Sequence, residues 1–270
     1  MDYLAREDAP LEDSIWEEID TAVVDTAKHN LIGRRFLPVE IQGIGTQFVK
    51  VDNFDKEEVF KDGFVKTKNR SIYEIPQLYA DFWLNWRDIA ASNKEGFKID
   101  LSQAMSAAEM ISRREDNMIF YGNKELGLDG LLTVKGSETI KLSDWGTGEN
   151  AFLDVAKGVS ILEKNNRYGN HTLIVSSDLY VALQRIQQGT GEIESERIKK
   201  LLDHHIIKST VLEDNTAILV SAQKQYLDLV IGQDIESSYL EAVDLNHHFR
   251  ILETILLRIK APNAIVVFRK

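Results

Sequence analysis

Between residues 101 and 120, Leu101, Ala104, Met105, Ala108, Ile111, Met118 and Ile119 recur at the three- and four-residue spacing of a single helix face. About 20 residues rising about 1.5 Å each make a rod of roughly 30 Å, the width of a small domain. Asp100 or Ser102 is placed to cap its start. The rest of the chain must supply the apolar surface on which this stripe is buried. With 270 residues, 43% of them hydrophobic, there is enough chain for a sizeable core in one large domain or two smaller ones.

A second amphipathic helix is expected over 14–31, with Ile15, Ile19, Val23, Ala27 and Leu31 on one stripe and Trp16 and Ala22 widening it. Asp13 or Ser14 is its expected cap, and Gly33 its terminator. From Ile41 to Ile75 the period changes to the alternation of short strands, in QFVKV, EVFK and GFVKTK, with Asp62-Gly63 as a hairpin turn. So charged a hairpin cannot bury itself, and it either stays mobile or is completed by a neighbouring molecule. Three more helices are expected near 151–165, 177–187 and 195–204, interleaved with the strands TLIVS (172–176) and AILVS (217–221); LDLVIG, HFRILETILLRI and AIVVF follow as strands. The class is α+β. No repeat, low-complexity tract or proline-rich linker divides the chain, which argues against two domains in series.

Charge and composition exclude several functions. The net charge is −11, and the first 25 residues hold nine acids against Arg6 alone, so a nucleic-acid partner is not expected. The absence of cysteine removes disulfides, thiolate metal sites and cysteine nucleophiles. No apolar run approaches the roughly 20 residues of a membrane span, and the acidic start does not read as a secretory signal, so cytoplasmic residence is expected.

Catalytic patterns are sought without success. None of the six histidines has a glutamate three positions earlier, as a di-iron helix pair requires, and His204-His205 and His247-His248 diverge as adjacent residues. No metal site is expected. Glu115 and Asp116 read as ion-paired with Arg113 and Arg114 on their own helix. Gly43, Gly45, Gly146 and Gly148 read as turn residues, lacking a phosphate-loop or dinucleotide context. The aromatic cluster Tyr73, Tyr79, Phe82, Trp83 and Trp86 reads as core packing beside Arg87.

Six segments in fixed order carry a resemblance: APLEDSIWEEID (9–20), GRRF (33–36), YEIPQLYADFWLNWRDI (73–89), REDNMIFYG (114–122), GQDIESSYL (232–240) and LETILLRIKAPNAIVV (252–267). Over its full length the chain resembles a family 1 encapsulin, a linocin-M18-like nanocompartment shell protein with the HK97 phage-capsid fold. The resemblance implies a peripheral domain interrupted by an axial domain. It assigns 1–45 to the N-terminal helix and the start of the peripheral domain, 46–74 to an extended loop, 75–133 to the peripheral domain with the spine helix, and 134–224 to the axial domain. Residues 225–250 re-enter the peripheral domain, and 251–270 are C-terminal strands.

The implied function is enclosure. Copies numbering 60 or a multiple close an icosahedral shell around a cargo enzyme, either a ferritin-like iron-mineralising protein or a dye-decolorising peroxidase, serving iron storage or oxidative-stress protection. The cargo's C-terminal targeting peptide would dock on Leu31, Arg34, Phe36, Leu37, Asp234 and Ile235; Pro38 stands where relatives often have an acid. The loop QQGTGEIESE (187–196) would line a pore through Gly189, Thr190, Gly191 and Glu192, with Glu192 or Glu194 attracting cations. Trp86 falls where some relatives stack a flavin, although their nearby arginine is Leu78 here; no cofactor is required. A phage capsid protein that packages DNA shares the fold and is the first alternative. A soluble protease or bacteriocin, with Ser176 or Ser177 as nucleophile, is the second.

Overall fold

The computed structural model describes the chain except for residues 1–2, 53–56, 60–64, 68–69, 96–97, 188, 190 and 203–204. The expected turn Asp62-Gly63, together with Thr190 and His204, lies outside the described residues.

A long antiparallel hairpin organises the first sheet. Its arms are Leu227–Val243 and Asn246–Ile259, and the turn is made by Asp244 and Leu245, both at positive φ. Val39–Ile41 flanks the first arm in parallel, and Gln77–Leu84 flanks the second antiparallel. Alternation then sorts the side chains: Ala80, Phe82, Phe249 and Ile251 turn to one face, where two helices cover them. These are the N-terminal helix Asp13–Asn30 and the spine helix Ser102–Tyr121. Ile15, Trp16, Ile19 and Val23 of the first meet Ala104, Ala107, Ala108 and Ile111 of the second in one core.

Several helix ends differ from expectation. The N-terminal helix starts after Glu12, whose side chain makes no capping bond, and stops at Asn30; Gly33 instead opens a separate 3-10 turn, Gly33–Arg35. The spine helix runs one residue further than the apolar stripe, with Leu101 at its cap position and the Asp100 carboxylate accepting from Ser102 N–H at 2.9 Å. Met105, expected on the buried stripe, is 39% exposed, while Ala107, Ser112, Glu115, Asp116 and Phe120 are buried. The helix is covered by the sheet on one side and the N-terminal helix on another, so its buried arc is wider than one stripe. The helix expected at 177–187 ends at Ala182, and the last one is Glu194–Leu201.

The second sheet has the order Ile206–Lys208, Thr172–Val175, Ala217–Val220, Ile265–Arg269, Glu138–Lys141. Its central strands are buried on both faces, which is why they read as continuous apolar runs. Leu173, Val175, Leu219, Val266 and Phe268 face a core under helix Asn150–Lys164. The alternate residues Ile174, Ile218, Val220, Ile265 and Val267 face a different core, shared with Leu229, Ile231, Ile255 and Leu257 of the first sheet and with Ile119 and Phe120 of the spine helix. One continuous interior therefore joins the two sheets. The strands after residue 250 divide between them: Asn246–Ile259 stays in the first, and Ile265–Arg269 crosses to the second.

The charged excursion forms two short ribbons, Phe48–Asp52 with Arg70–Glu74 and Glu57–Val59 with Val65–Thr67. Phe48 and Ile72 on the first ribbon are largely exposed.

Candidate functional site

The 3-10 turn after the N-terminal helix aims Arg34 into a nest of carboxylates. Its Nε and Nη2 donate to Glu115 at 3.0 and 2.7 Å, Nη2 also donates to Glu253 at 2.8 Å, and Nη1 donates to Asp234 at 2.6 Å. The Glu115 and Glu253 side chains are fully buried, whereas that of Asp234 is 53% exposed. This corrects the expectation that Glu115 and Asp116 pair with Arg113 and Arg114. Successive helical residues point about 100° apart, so these acids turn inward while Arg114 reaches out to the carbonyl and ring of Tyr79. Asp116 accepts from Gly33 N–H at 2.8 Å and from Ile32 N–H at 3.1 Å, pinning the turn that presents Arg34.

Electrostatics follow from burial. Burial lowers the Arg34 pKa, but the hydrogen bonds and charges of Glu115, Glu253 and Asp234 outweigh it, and the guanidinium stays protonated. Glu253 is pushed well above the usual carboxylate range, first by burial and then by the charge of Glu115. Burial also raises Asp116, to about 7, against the opposing pull of the Gly33 and Ile32 amides. Glu253 and Asp116 therefore hold protons at pH values where ordinary carboxyls have lost them.

Beside this cluster, a cleft of about 350 Å³ runs between the N-terminal helix and the long strand. Asp20, Val23 and Val24 form one wall and Ile235, Glu236 and Ser237 the other; Leu4 and Arg6 close an end. Among the expected docking residues, the fold gathers Arg34, Asp234 and Ile235, the last donating its N–H to Asp234 Oδ1 at 2.8 Å. Leu31 and Leu37 are buried, and Leu37 belongs to the core joining the sheets. Phe36 is half-buried against Phe120, with ring centroids 6.4 Å apart. Asp20, Val24 and the N-terminal residues escape the sequence reading, although Asp20 and Val24 sit four apart and so share a helix flank.

The expected pore loop is held at its neck. Gln187 N–H donates to the Glu192 carbonyl at 2.8 Å, Ile186 and Ile193 bridge, and Gly189 and Gly191 take positive φ. Glu192 pairs with Lys200 at 2.9 Å. Glu194, expected to attract cations, is buried, accepts from Phe152 N–H and lies 3.9 Å from Arg197. Trp86 is 40% exposed, with Arg87 lying 5.5 Å from its ring centre and Leu78 packed against the interior. Ser176 is buried and donates to Asp178 at 2.6 Å, bracing a turn. Among the described residues no helix is long and apolar enough to cross a membrane.

Comparison with known proteins bears on the whole chain. The family model Linocin_M18, described as an encapsulating protein for peroxidase, matches residues 1–256. The type 1 encapsulin shell protein EncA of Myxococcus xanthus is 34% identical over 98% of this chain and 95% of its own length. A diheme-cytochrome–encapsulin shell fusion protein of Kuenenia stuttgartiensis is 36% identical over 93% of this chain and 71% of its own. A ferritin-like–encapsulin shell fusion protein of Pyrococcus furiosus is 26% identical over 93% and 67%. Among solved structures, a virus-like particle from Pyrococcus furiosus superposes with a TM-score of 0.78 and 26% identity, covering 94% of this chain and 99% of that one. The capsid of phage XM1 superposes at 0.66 with 11% identity over 87% and 90%, a likeness of fold alone. The architecture is that of the HK97-type capsids, and the sequence kinship lies with compartment shells rather than with phage.

Proposed function

Because this chain belongs to the Linocin_M18 family of encapsulin shell proteins, we propose that it closes into an icosahedral compartment of 60 copies or a multiple and captures cargo on the cleft beside Arg34. The observation that carries this reading is the cleft itself. Val23 and Val24 on one wall face Ile235 on the other, which belongs to a strand that no described strand pairs with on its outer edge beyond Ile231. An extended peptide entering there gains backbone hydrogen bonds along the edge and side-chain burial of about 25 cal/mol per Å². Arg34 is already saturated by three carboxylates, so its role is to hold Asp234 in place rather than to bind the guest directly.

The cargo is an iron-dependent redox protein. A peroxidase is named in the family description, and a diheme cytochrome and a ferritin-like domain are joined to shells in two relatives. The wall itself does no chemistry in this reading, and small solutes reach the cargo through the aperture lined by Gly189, Gly191 and Glu192. The test is electron microscopy of the chain expressed alone and with a peroxidase or ferritin-like protein carrying its native C-terminal tail. Closed uniform particles, filled only in the second case and emptied by Ile235→Asp, are expected. A small monodisperse oligomer would refute the shell, and loading indifferent to Ile235 would refute the docking site.

A further inference from the structure

The strand edge beside the cleft already carries peptide, and it is the chain's own. Past Ile231 the outer edge of strand Leu227–Val243 presents a row of backbone groups, and the N-terminal segment answers them. Tyr239 N–H donates to the Leu4 carbonyl at 2.9 Å. Arg6 Nε donates to the Ser237 carbonyl at 3.0 Å, and the same guanidinium grips both oxygens of Asp20 across the cleft at 2.7 and 3.0 Å. It also lies 4.8 Å from the centre of the Trp16 ring. Tyr3 donates its hydroxyl to Gln233 at 2.8 Å; the segment crosses the edge as a turn, with Ala5 at φ 50° and Arg6 opening the 3-10 turn Arg6–Asp8.

These contacts take up what a guest strand would use: one backbone bond on the open edge, an aliphatic residue lining the cleft, and a basic residue on Asp20. The cleft is acidic, with Asp20 and Glu236 in its walls and Asp234 just beyond. The cations paired with these acids are Arg6, which belongs to the resident segment, and Arg34, which is also engaged by Glu115 and Glu253. We propose that Tyr3–Arg6 is a displaceable occupant of the strand edge at the cargo cleft, and that the guest which replaces it is an extended peptide carrying an aliphatic residue and a basic one that takes over Asp20. The inference deepens the docking role proposed above and rests on it. Since guest and resident compete for the same edge, the guest's apparent affinity is lowered by the fraction of time the segment is seated.

The test is a fluorescent peptide of residues Tyr3–Asp8 added to dissociated subunits of the full chain and of a chain lacking Tyr3–Arg6 and carried through reassembly, so that the closed wall does not bar it from the cleft, with bound probe read by anisotropy. Binding at least about ten-fold tighter to the deletion particle is expected. That binding should be lost when Asp20→Ala is added, or when the probe carries Arg6→Glu. Equal binding to both particles, or none to an assembled deletion particle, overturns the proposal. Should the deletion fail to assemble, Arg6→Ala in the full chain decides. Amide exchange over 233–241 must then rise, and unchanged exchange overturns the proposal equally. Loading of a tailed guest separates the two readings. A deletion particle that takes the probe but no guest leaves the seated segment standing and removes the docking role; a guest that loads the full and deleted chains equally does the reverse.

Discussion

Replacing Arg34 with methionine keeps a long apolar stem and removes the charge that holds two buried carboxyl groups in the core. What is left behind sets the magnitude. Glu115 and Glu253 are fully buried, and Arg34 donates to Glu253 Oε2 while Oε1 has no hydrogen-bond partner. Removing one member of a buried pair costs about 3–5 kcal/mol, because the survivor keeps its desolvation penalty without its counterion. At about 2–4 °C per kcal/mol for a chain of this size, the unfolding midpoint should fall by roughly 10 °C. The pH dependence distinguishes this from lost packing. Without Arg34 the site stays closed only by binding a second proton, so the deficit should be largest near pH 8 and shrink toward pH 5. The assay is thermal unfolding of parent and variant at matched concentration, since assembly stabilises the folded subunit by mass action. Adding Glu115→Gln and Glu253→Gln to the variant should restore most of the loss. A midpoint within about 2 °C of the parent at pH 8, or a deficit equal at both pH values, would refute the reasoning.

Asp116, raised to about 7 chiefly by burial, binds its proton more tightly folded than unfolded. Its contribution is therefore fully present below the ordinary aspartate value near 4 and is lost as pH rises through about 7, a swing on the order of 4 kcal/mol. Asp116→Asn should flatten the stability profile over that window as measured by denaturant midpoints; an unchanged slope contradicts the assignment. Gly122 ends the spine helix at φ 70°, ψ −161°, a region essentially reserved for glycine, and a Cβ there would sit 2.2 Å from the Leu128 carbonyl oxygen. Gly122→Ala should cost several kcal/mol through backbone strain of about 1–3 kcal/mol plus the clash, read as a lowered yield of folded particles. A fully assembling variant with parental melting would show that the turn can relax.

The long helices were legible because each carries its own instruction. A 3.6-residue stripe of Ile15, Ile19, Val23 and Ala27, or of Ala104, Ala108, Ile111 and Ile119, can be read without knowing its partner. Their ends were less legible. Glu12 precedes the N-terminal helix without capping it, and Met105 fits the periodicity but faces outward, because which arc is covered depends on what is docked beside it. The motifs at residues 33–36 and 232–240 pointed to Arg34 and Asp234, and these do meet. The motif at 114–122 carried Glu115 as well, but its local arginines suggested the wrong partner.

The sequence by itself determined most of the elements, though not the helix Trp86–Glu95, together with the α+β class and the family, since these are written in local periodicity and in ordered segments that need no third dimension. Tertiary structure alone decided the charge nest and the cleft. Glu115, Asp234 and Glu253 lie 81, 200 and 219 residues from Arg34, and Leu4 and Tyr239 come together from nearly opposite ends of the chain. No local pattern encodes such meetings. They exist because the spine helix, the N-terminal turn and the long hairpin bury their apolar faces against one another, carrying whatever polar groups lie at their margins into a shared interior, where each charge must find a partner.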